Sequence, residues 1–320
     1  MPARGRIDRH ICVFGVGGVG GYFGGRLAWW LARQAHPAWR VHFVARGAHL
    51  AAIASRGLEL NTPDARLMCV PASASSDTKD MPAPDVVLLC VKSHGLDEAL
   101  RQIAARSHED TVVVPLLNGV DIHERIRVRL PKARVFPACV FVGTHVDRPG
   151  VVSQAGGDGV ILLGGDPDDP GYVPTAFLSL LEDAGIRFTW FADPRPAIWE
   201  KYVFIAAFGL VTAATRTTLG EVLADASLLK DVREIMREVV DLAACEGVSL
   251  DPDVIPNAIA KAGEFPFETK TSLQRDVEAG GQDEGDLFGG TILRLGKRHG
   301  VRTPATRRVC ARVRRGAVAG

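Results

Sequence analysis

The sequence predicts a doubly wound α/β sheet followed by an all-helical C-terminal region, on three observations. The apolar run Ile11-Cys12-Val13-Phe14 ends directly in Gly15-Val16-Gly17-Gly18-Val19-Gly20. Further short apolar runs then alternate with helical stretches, the pattern of a mainly parallel sheet with crossover helices. Beyond Pro196 the β-branched runs give way to helical periodicity. With 320 residues, 47% of them hydrophobic, the chain can build two domains and a substantial core. Ala192-Asp193-Pro194-Arg195-Pro196 reads as the linker, so the expected domains are 1–193 and 194–320.

The first run is apolar without alternation, as expected of a strand buried on both faces. Gly21–Ala32 reads as the helix that follows it. Strand, glycine turn and helix together form the context of a dinucleotide fingerprint. Gly15 permits the tight turn, Gly17 lets backbone approach a pyrophosphate, and Gly20 lets helix and strand pack closely. The helix N-terminus adds N–H groups and positive dipole. Arg40–Ala45 reads as the second strand and ends in Arg46-Gly47, with no Asp or Glu between Arg33 and Leu58. An acidic residue near that point would hold a ribose 2′-OH, whereas an arginine suits a 2′-phosphate, so NADP is the expected cofactor.

Residues 51–83 mix short apolar runs with Ser, Asp and Pro and carry no firm assignment. Pro84–Val91 is a clear buried strand followed by Lys92-Ser93-His94-Gly95, and a helix is expected over Leu96–Ala105. Thr111–Leu117 is the next strand and ends in Asn118-Gly119. Ligands bind beyond the carboxyl ends of such strands, and Gly15, Arg46, Lys92 and Asn118 all fall at those ends. His94 reads as a residue at the start of a helix. Val135–Gly143 is expected as a strand, and 150–154 with 159–164 as a hairpin around Ala155-Gly156-Gly157-Asp158. A helix over Val173–Ala184 and a strand over Arg187–Phe191 close the region. Helices are expected over Ile198–Val211, Leu219–Glu246, Pro252–Ala262 and Asp283–His299, the last with acid first, base last and Gly300 after.

The formal net charge of +1 offers no field to recruit nucleic acid or membrane. The basic ends, Met1–Arg6 and Arg307–Arg315, read as solvated or frayed. Cys12, Cys69, Cys90, Cys139, Cys245 and Cys310 lack metal-ligand spacing, so no metal is expected and a reducing cytoplasmic setting is. No secretory h-region precedes the first strand and no apolar run reaches about 18 residues.

Taken together, the early GxGxxG, Val91-Lys92-Ser93, Asn118-Gly119, Gly150-Val151-Val152, Trp199-Glu200-Lys201, Thr271–Asp276 and Asp283–Asp286 resemble the ketopantoate reductase (2-dehydropantoate 2-reductase) family over nearly the whole chain. The resemblance implies a Rossmann-type NADP-binding domain followed by a helical substrate and catalytic domain. It implies reduction of ketopantoate to pantoate, a step of pantothenate and coenzyme A synthesis, or of a related 2-keto acid. Lys201 matches the general acid that protonates the ketone oxygen as hydride arrives from nicotinamide C4. Hydride transfer builds negative charge on that oxygen, and an ammonium with an ordinary pKa of about 10.4 can stabilise it and donate the proton. Asn118 matches the asparagine between nicotinamide and substrate, and Lys92 a lysine near the nicotinamide end. Ser272 matches a serine that holds the substrate carboxylate, and Glu284 an acidic residue that orients the lysine or the substrate.

The match departs at one place. The family usually carries asparagines four and eight positions after the lysine; here those positions are Ile205 and Gly209, on the lysine's own helical face. An apolar side chain there cannot hydrogen-bond a substrate hydroxyl, which puts the departure in the substrate pocket. An opine-type or 3-hydroxy-acid dehydrogenase shares the layout, and a non-catalytic NADPH sensor is the alternative from another class. The expected partner is a small 2-keto acid, and a homodimer is one assembly open to the chain.

Overall fold

A computed structural model describes residues 8–35, 37–280 and 284–318. It contains two compact units: Met1–Val91, Gly95–Leu117 and Ile122–Pro194 form the first, and Lys92–His94, Asn118–Asp121 and Arg195–Gly320 the second.

The first unit opens with β1 (Arg9–Phe14), α1 (Gly18–Leu31), β2 (Trp39–Val44), α2 (Gly47–Arg56), β3 (Leu58–Asn61), β4 (Arg66–Cys69), β5 (Ser73–Ser75) and β6 (Val86–Leu89). It continues through α3 (Leu96–Ala104), β7 (Val112–Pro115), α4 (Ile122–Arg129), β8 (Arg134–Val135), β9 (Ala138–Arg148), β10 (Val151–Gly164), α5 (Thr175–Asp183) and β11 (Arg187–Phe191). Six strands form an all-parallel sheet in the order β5-β2-β1-β6-β7-β8. The strand order reverses between β1 and β6, the switch point of a Rossmann-type sheet. β6 and β7 are buried along their whole lengths, which is why their sequences, Val-Val-Leu-Leu and Val-Val-Val-Pro, are apolar without alternation.

A second sheet, in the order β11-β10-β3-β4 with β9 paired to β10, completes the unit. α1 lies between the two sheets and is apolar around most of its circumference. Its glycines set the spacing on both faces. A Cβ at Gly24 would stand 2.9 Å from Val13 in the first sheet, and one at Gly21 would stand 2.7 Å from Val152 in the second.

Two expectations for this unit need correction. Residues 51–83, which carry no clear local pattern, hold most of α2 and all of β3, β4 and β5. The expected hairpin around Ala155–Asp158 does not exist, because β10 runs straight through it. Gly157 and Gly159 have positive φ there, and the register with β9 shifts between Gln154 and Gly156 and again between Gly156 and Val160. The glycines thus mark bulges inside a strand. The true turn is Pro149-Gly150, with Gly150 at φ 81°.

The second unit contains α6 (Arg195–Thr215), α7 (Leu219–Ala224), α8 (Ala226–Cys245), α9 (Val254–Gly263), α10 (Ser272–Glu278), a π-helical turn over Asp286–Gly290, α11 (Thr291–His299) and α12 (Pro304–Val318). α6 is the central helix, packed by α8, α10 and α12. By length and composition alone α6 could cross a membrane, but 61% of its most apolar window is buried in this unit, the mark of a core helix.

Here too the sequence expectations change. The single helix over Leu219–Glu246 is two, broken at Asp225, whose carboxylate caps α8 by accepting from Ser227 N (2.8 Å) and Leu228 N (3.0 Å). α7 has its own capping box, Thr218 with Glu221. The helix expected over Asp283–His299 ends as predicted, with Gly300 left-handed at φ 68°, but begins as the π-turn; Asp283 lies outside the described residues. The basic C-terminal stretch is helical rather than frayed, with Arg307, Arg308 and Arg312 exposed as expected. It forms α12, which buries Val309, Cys310 and Val313 and pairs Arg308 and Arg312 with Asp231 at 2.6 and 3.0 Å. The basic N-terminal residues Met1–Arg6 lie outside the described residues.

Candidate active site

The loop after β1 is built for close approach. Phe14 pairs with Val44 on one side and Leu89 on the other, so β1, β2 and β6 end level. Gly15 N and Val16 N both donate to Val44 O, at 3.0 and 3.3 Å, which turns the chain over the end of β2. Gly15 has φ 93°, and a Cβ there would strike Cys90 O at 2.9 Å, so only glycine fits. A Cβ on Gly20 would stand 2.1 Å from Gly15 O, which makes that glycine the contact between helix and turn. Gly18 is closed against Thr144, and Val19 packs on the core. Gly17 differs: a Cβ there would meet no atom within 4 Å. The open side of the loop therefore lies at Gly17, which is also the N-cap of α1. No side chain caps that helix and its first turn holds no acidic residue. Open backbone at an uncapped, positively polarised helix end fits a pyrophosphate. Arg46 stands two residues beyond the end of β2, is the N-cap of α2 with its backbone carbonyl accepting from Leu50 N at 3.1 Å, and is exposed.

The second unit assembles a cluster of ionisable groups. Lys201, on α6, donates to Asn118 Oδ1 at 2.9 Å. Asn118 also hydrogen-bonds the Glu284 carboxyl through its side chain. With Oδ1 taken by the ammonium, the amide NH₂ is the group left to serve that carboxyl. Lys92 pairs with Asp276 on α10 at 2.7 Å. Glu284 is half-buried, and burial raises its pKa above the ordinary 4.5. Nearby Asp276 adds to the rise, while Lys92, the Asn118 hydrogen bond and Lys201 oppose it. The arrangement is an ammonium held by a carboxamide, next to a carboxyl that keeps its proton more readily than usual. It can deliver a proton to an oxyanion and replace it.

Further residues hold these groups in place. Asp121, three residues after Asn118, is buried and accepts from Thr291 Oγ1 (3.1 Å) and Arg294 Nη2 (3.0 Å) on α11. Arg294 also binds the Asp286 carboxylate in the π-turn that follows Glu284. Tyr202, next to Lys201, donates its hydroxyl to Leu287 O and Phe288 O of that turn at 2.8 and 2.6 Å. The segments that carry Asn118 and Glu284 are thus both tied to helices of the same unit.

Two family models match the chain: one described as ketopantoate reductase PanE/ApbA, over residues 11–167, and its C-terminal counterpart, over residues 193–317. The chain is similar to 2-dehydropantoate 2-reductase of Mesorhizobium japonicum, 31% identical over 96% of this chain and 98% of that one. The chain belongs to the ketopantoate reductase family. It is accordingly a nicotinamide-dependent oxidoreductase acting on CH–OH groups, in a family whose chemistry is 2-keto acid reduction. Its fold is similar to that of a PanE/ApbA family ketopantoate reductase from Ralstonia eutropha JMP134, with a TM-score of 0.86, 29% identity and coverage of 97% and 99% of the two chains. It is also similar to a D-mandelate dehydrogenase solved with NADH and anilino(oxo)acetate, with a TM-score of 0.84, 21% identity and coverage of 97% and 99%.

Of the residues singled out from sequence in this ketopantoate reductase homologue, Lys201, Asn118 and Glu284 meet, and Lys92 stands close enough to act on Glu284. Ser272 is exposed as the first residue of α10, where Thr271 and not Ser272 supplies the cap. Ile205 lies one turn beyond Lys201 and is half-buried. Gly209, a turn further, is buried; a Cβ there would stand 3.7 Å from Leu273 Cβ. His94 is exposed in a short 3₁₀ turn before α3. Asp121, Tyr202, Thr291 and Arg294 escaped sequence reasoning. Tyr202 sits within the mostly apolar run Ile198–Val211, and no local pattern marks Asp121.

Proposed function

We propose that this enzyme reduces a 2-keto acid to the 2-hydroxy acid with NADPH, ketopantoate to pantoate or a relative of that pair. The observation that carries the reading is the Lys201–Asn118–Glu284 arrangement, because hydride delivery to a ketone needs a positioned proton donor. Residues 1–193 form the cofactor-binding domain and 194–320 the helical substrate and catalytic domain, to whose catalytic groups Asn118 is added from the first stretch. The backbone of Gly15–Gly20 receives the pyrophosphate, and Arg46 forms charge-assisted bonds to a 2′-phosphate. When bound, NADPH supplies the hydride. Lys92 serves the nicotinamide end. Ser272 holds the substrate carboxylate, Asn118 keeps the Lys201 ammonium aimed, and Lys201 gives its proton to the oxygen as charge develops there. Glu284, with its raised pKa, returns a proton to Lys201. A reducing cytoplasmic setting belongs to the same reading, since the six cysteines follow no disulfide or metal-ligand spacing.

The test is NADPH oxidation against a panel of 2-keto acids, with Lys201→Ala as control. If that variant kept full turnover on the best substrate, the assigned mechanism would be wrong. Arg46→Ala is expected to raise KM for NADPH about tenfold, the worth of a charge-assisted hydrogen bond, and to leave KM for NADH unchanged.

A further inference from the structure

The stripe of α6 that carries Lys201 continues with Phe204, Ile205, Phe208, Gly209 and Thr212, at the spacing that places residues on one helical face. Polarity ends at the lysine. Phe204 and Ile205, one turn away, are half-buried with apolar side chains. Phe204 lies 5.1 Å from Phe208, ring centre to ring centre, and stacks on Phe265 at 6.0 Å with 27° between the planes. Phe265 remains 40% exposed and Phe267 54%; among the described large apolar residues left in solvent, these are the aromatic ones. At the second turn, buried Gly209 faces Leu273, the neighbour of Ser272, with ordinary van der Waals room for a Cβ. Thr212, where polarity returns, spends its hydroxyl on Phe208 O (2.8 Å) and Thr271 Oγ1 (2.7 Å).

We infer that the 2-keto acid taken by this enzyme carries a bulky apolar, hydroxyl-free side chain, seated on Phe204, Ile205 and Phe265. The inference rests on the proposed 2-keto acid reduction at Lys201. An aromatic stack that begins one helical turn from the proton donor with half-buried Phe204 and ends in the 40% exposed ring of Phe265 offers a flat apolar group both contact area and ring geometry. A hydroxyl-bearing side chain such as that of ketopantoate would lose its hydration there and find no partner on this stripe. Ile205 and Phe265 are therefore specificity-determining residues. An apolar pocket rejects an added hydroxyl only moderately, so the preference is one of degree.

The test is steady-state kinetics of the full chain with NADPH and NADH on phenylglyoxylate, 4-methyl-2-oxopentanoate, pyruvate and ketopantoate. The expected result is a kcat/KM about 10- to 100-fold higher for the two bulky apolar acids than for ketopantoate. Ile205→Asn should shrink that ratio about tenfold. Phe265→Ala, at an exposed position that leaves the core intact, should lower the phenylglyoxylate-to-pyruvate ratio about tenfold. A purely structural role for Phe265 would lower both substrates together and overturn its assignment. Preference for ketopantoate, with ratios unmoved by either variant, would overturn the side-chain inference while leaving the reductase reading standing. No turnover of any keto acid with either cofactor would overturn the reductase reading itself, and this inference with it.

Discussion

Each unit of this protein holds a carboxyl away from solvent, and the two are treated in opposite ways. In the first unit Asp166, 1% exposed, receives Arg127 on both oxygens at 2.5 and 2.6 Å, and the backbone N–H groups of Val135 (2.8 Å) and Asp168 (3.0 Å). Burial pulls its pKa up, yet Arg127 and the two N–H groups hold it below the ordinary 3.8. In the second unit Glu284 is served by the Asn118 side chain, while the Lys201 ammonium is hydrogen-bonded to Asn118 and that of Lys92 to Asp276. Burial therefore prevails, and the pKa of Glu284 rises. What separates the two is the number of donors aimed at the carboxylate. The satisfied carboxylate stitches β8 to α4 and the loop after β10. The under-served one keeps its proton more readily, the property that its proposed catalytic role draws on.

That contrast predicts different losses from comparable substitutions. Lys201→Ala should lower kcat by roughly 10²- to 10⁴-fold, the usual worth of a positioned general acid, with little change in Tm; pre-steady-state and steady-state rates read it. Next comes Asp166→Asn, which leaves Arg127 without its buried partner. It should destabilise the protein by about 3–5 kcal/mol in denaturant unfolding, and kcat of the molecules still folded should be near that of the parent. The sign with pH follows from the lowered pKa. The Asp166 contribution is complete above 3.8 and fades as pH falls through the folded-state value, so the difference between Asp166→Asn and the parent should narrow on acidification.

Glu284→Gln should give the smallest change in stability, and the opposite one. A carboxyl with a raised pKa withdraws stability as pH climbs above 4.5. The variant should therefore melt higher than the parent at neutral pH and coincide with it below 4.5, while its kcat falls. Equal melting curves across that range would mean that Glu284 is ordinary, and the comparison between the units would collapse.

By itself the sequence determined what depends on near neighbours. The strand–glycine–helix start is local chemistry: a buried run, a turn that only Gly15 can make, and a helix that begins where its N–H groups are open. β6, β7 and α6 were legible for the same reason, since burial writes itself into runs and periods. Lys201 and Asn118 were legible as candidates through family resemblance. Only the tertiary structure decided the rest. β3 pairs with a stretch of β10 about 92 residues away in the chain (Leu60 with Val152), and no local pattern encodes such a partner. The same holds for Gly156, Gly157 and Gly159, which look like a turn until β9 lies alongside and makes them bulges. The site follows the same division. Lys201 and Asn118 stand 83 positions apart, and the pKa of Glu284 depends on which donors folding brings to it and which it gives to Asp276 and Asn118 instead.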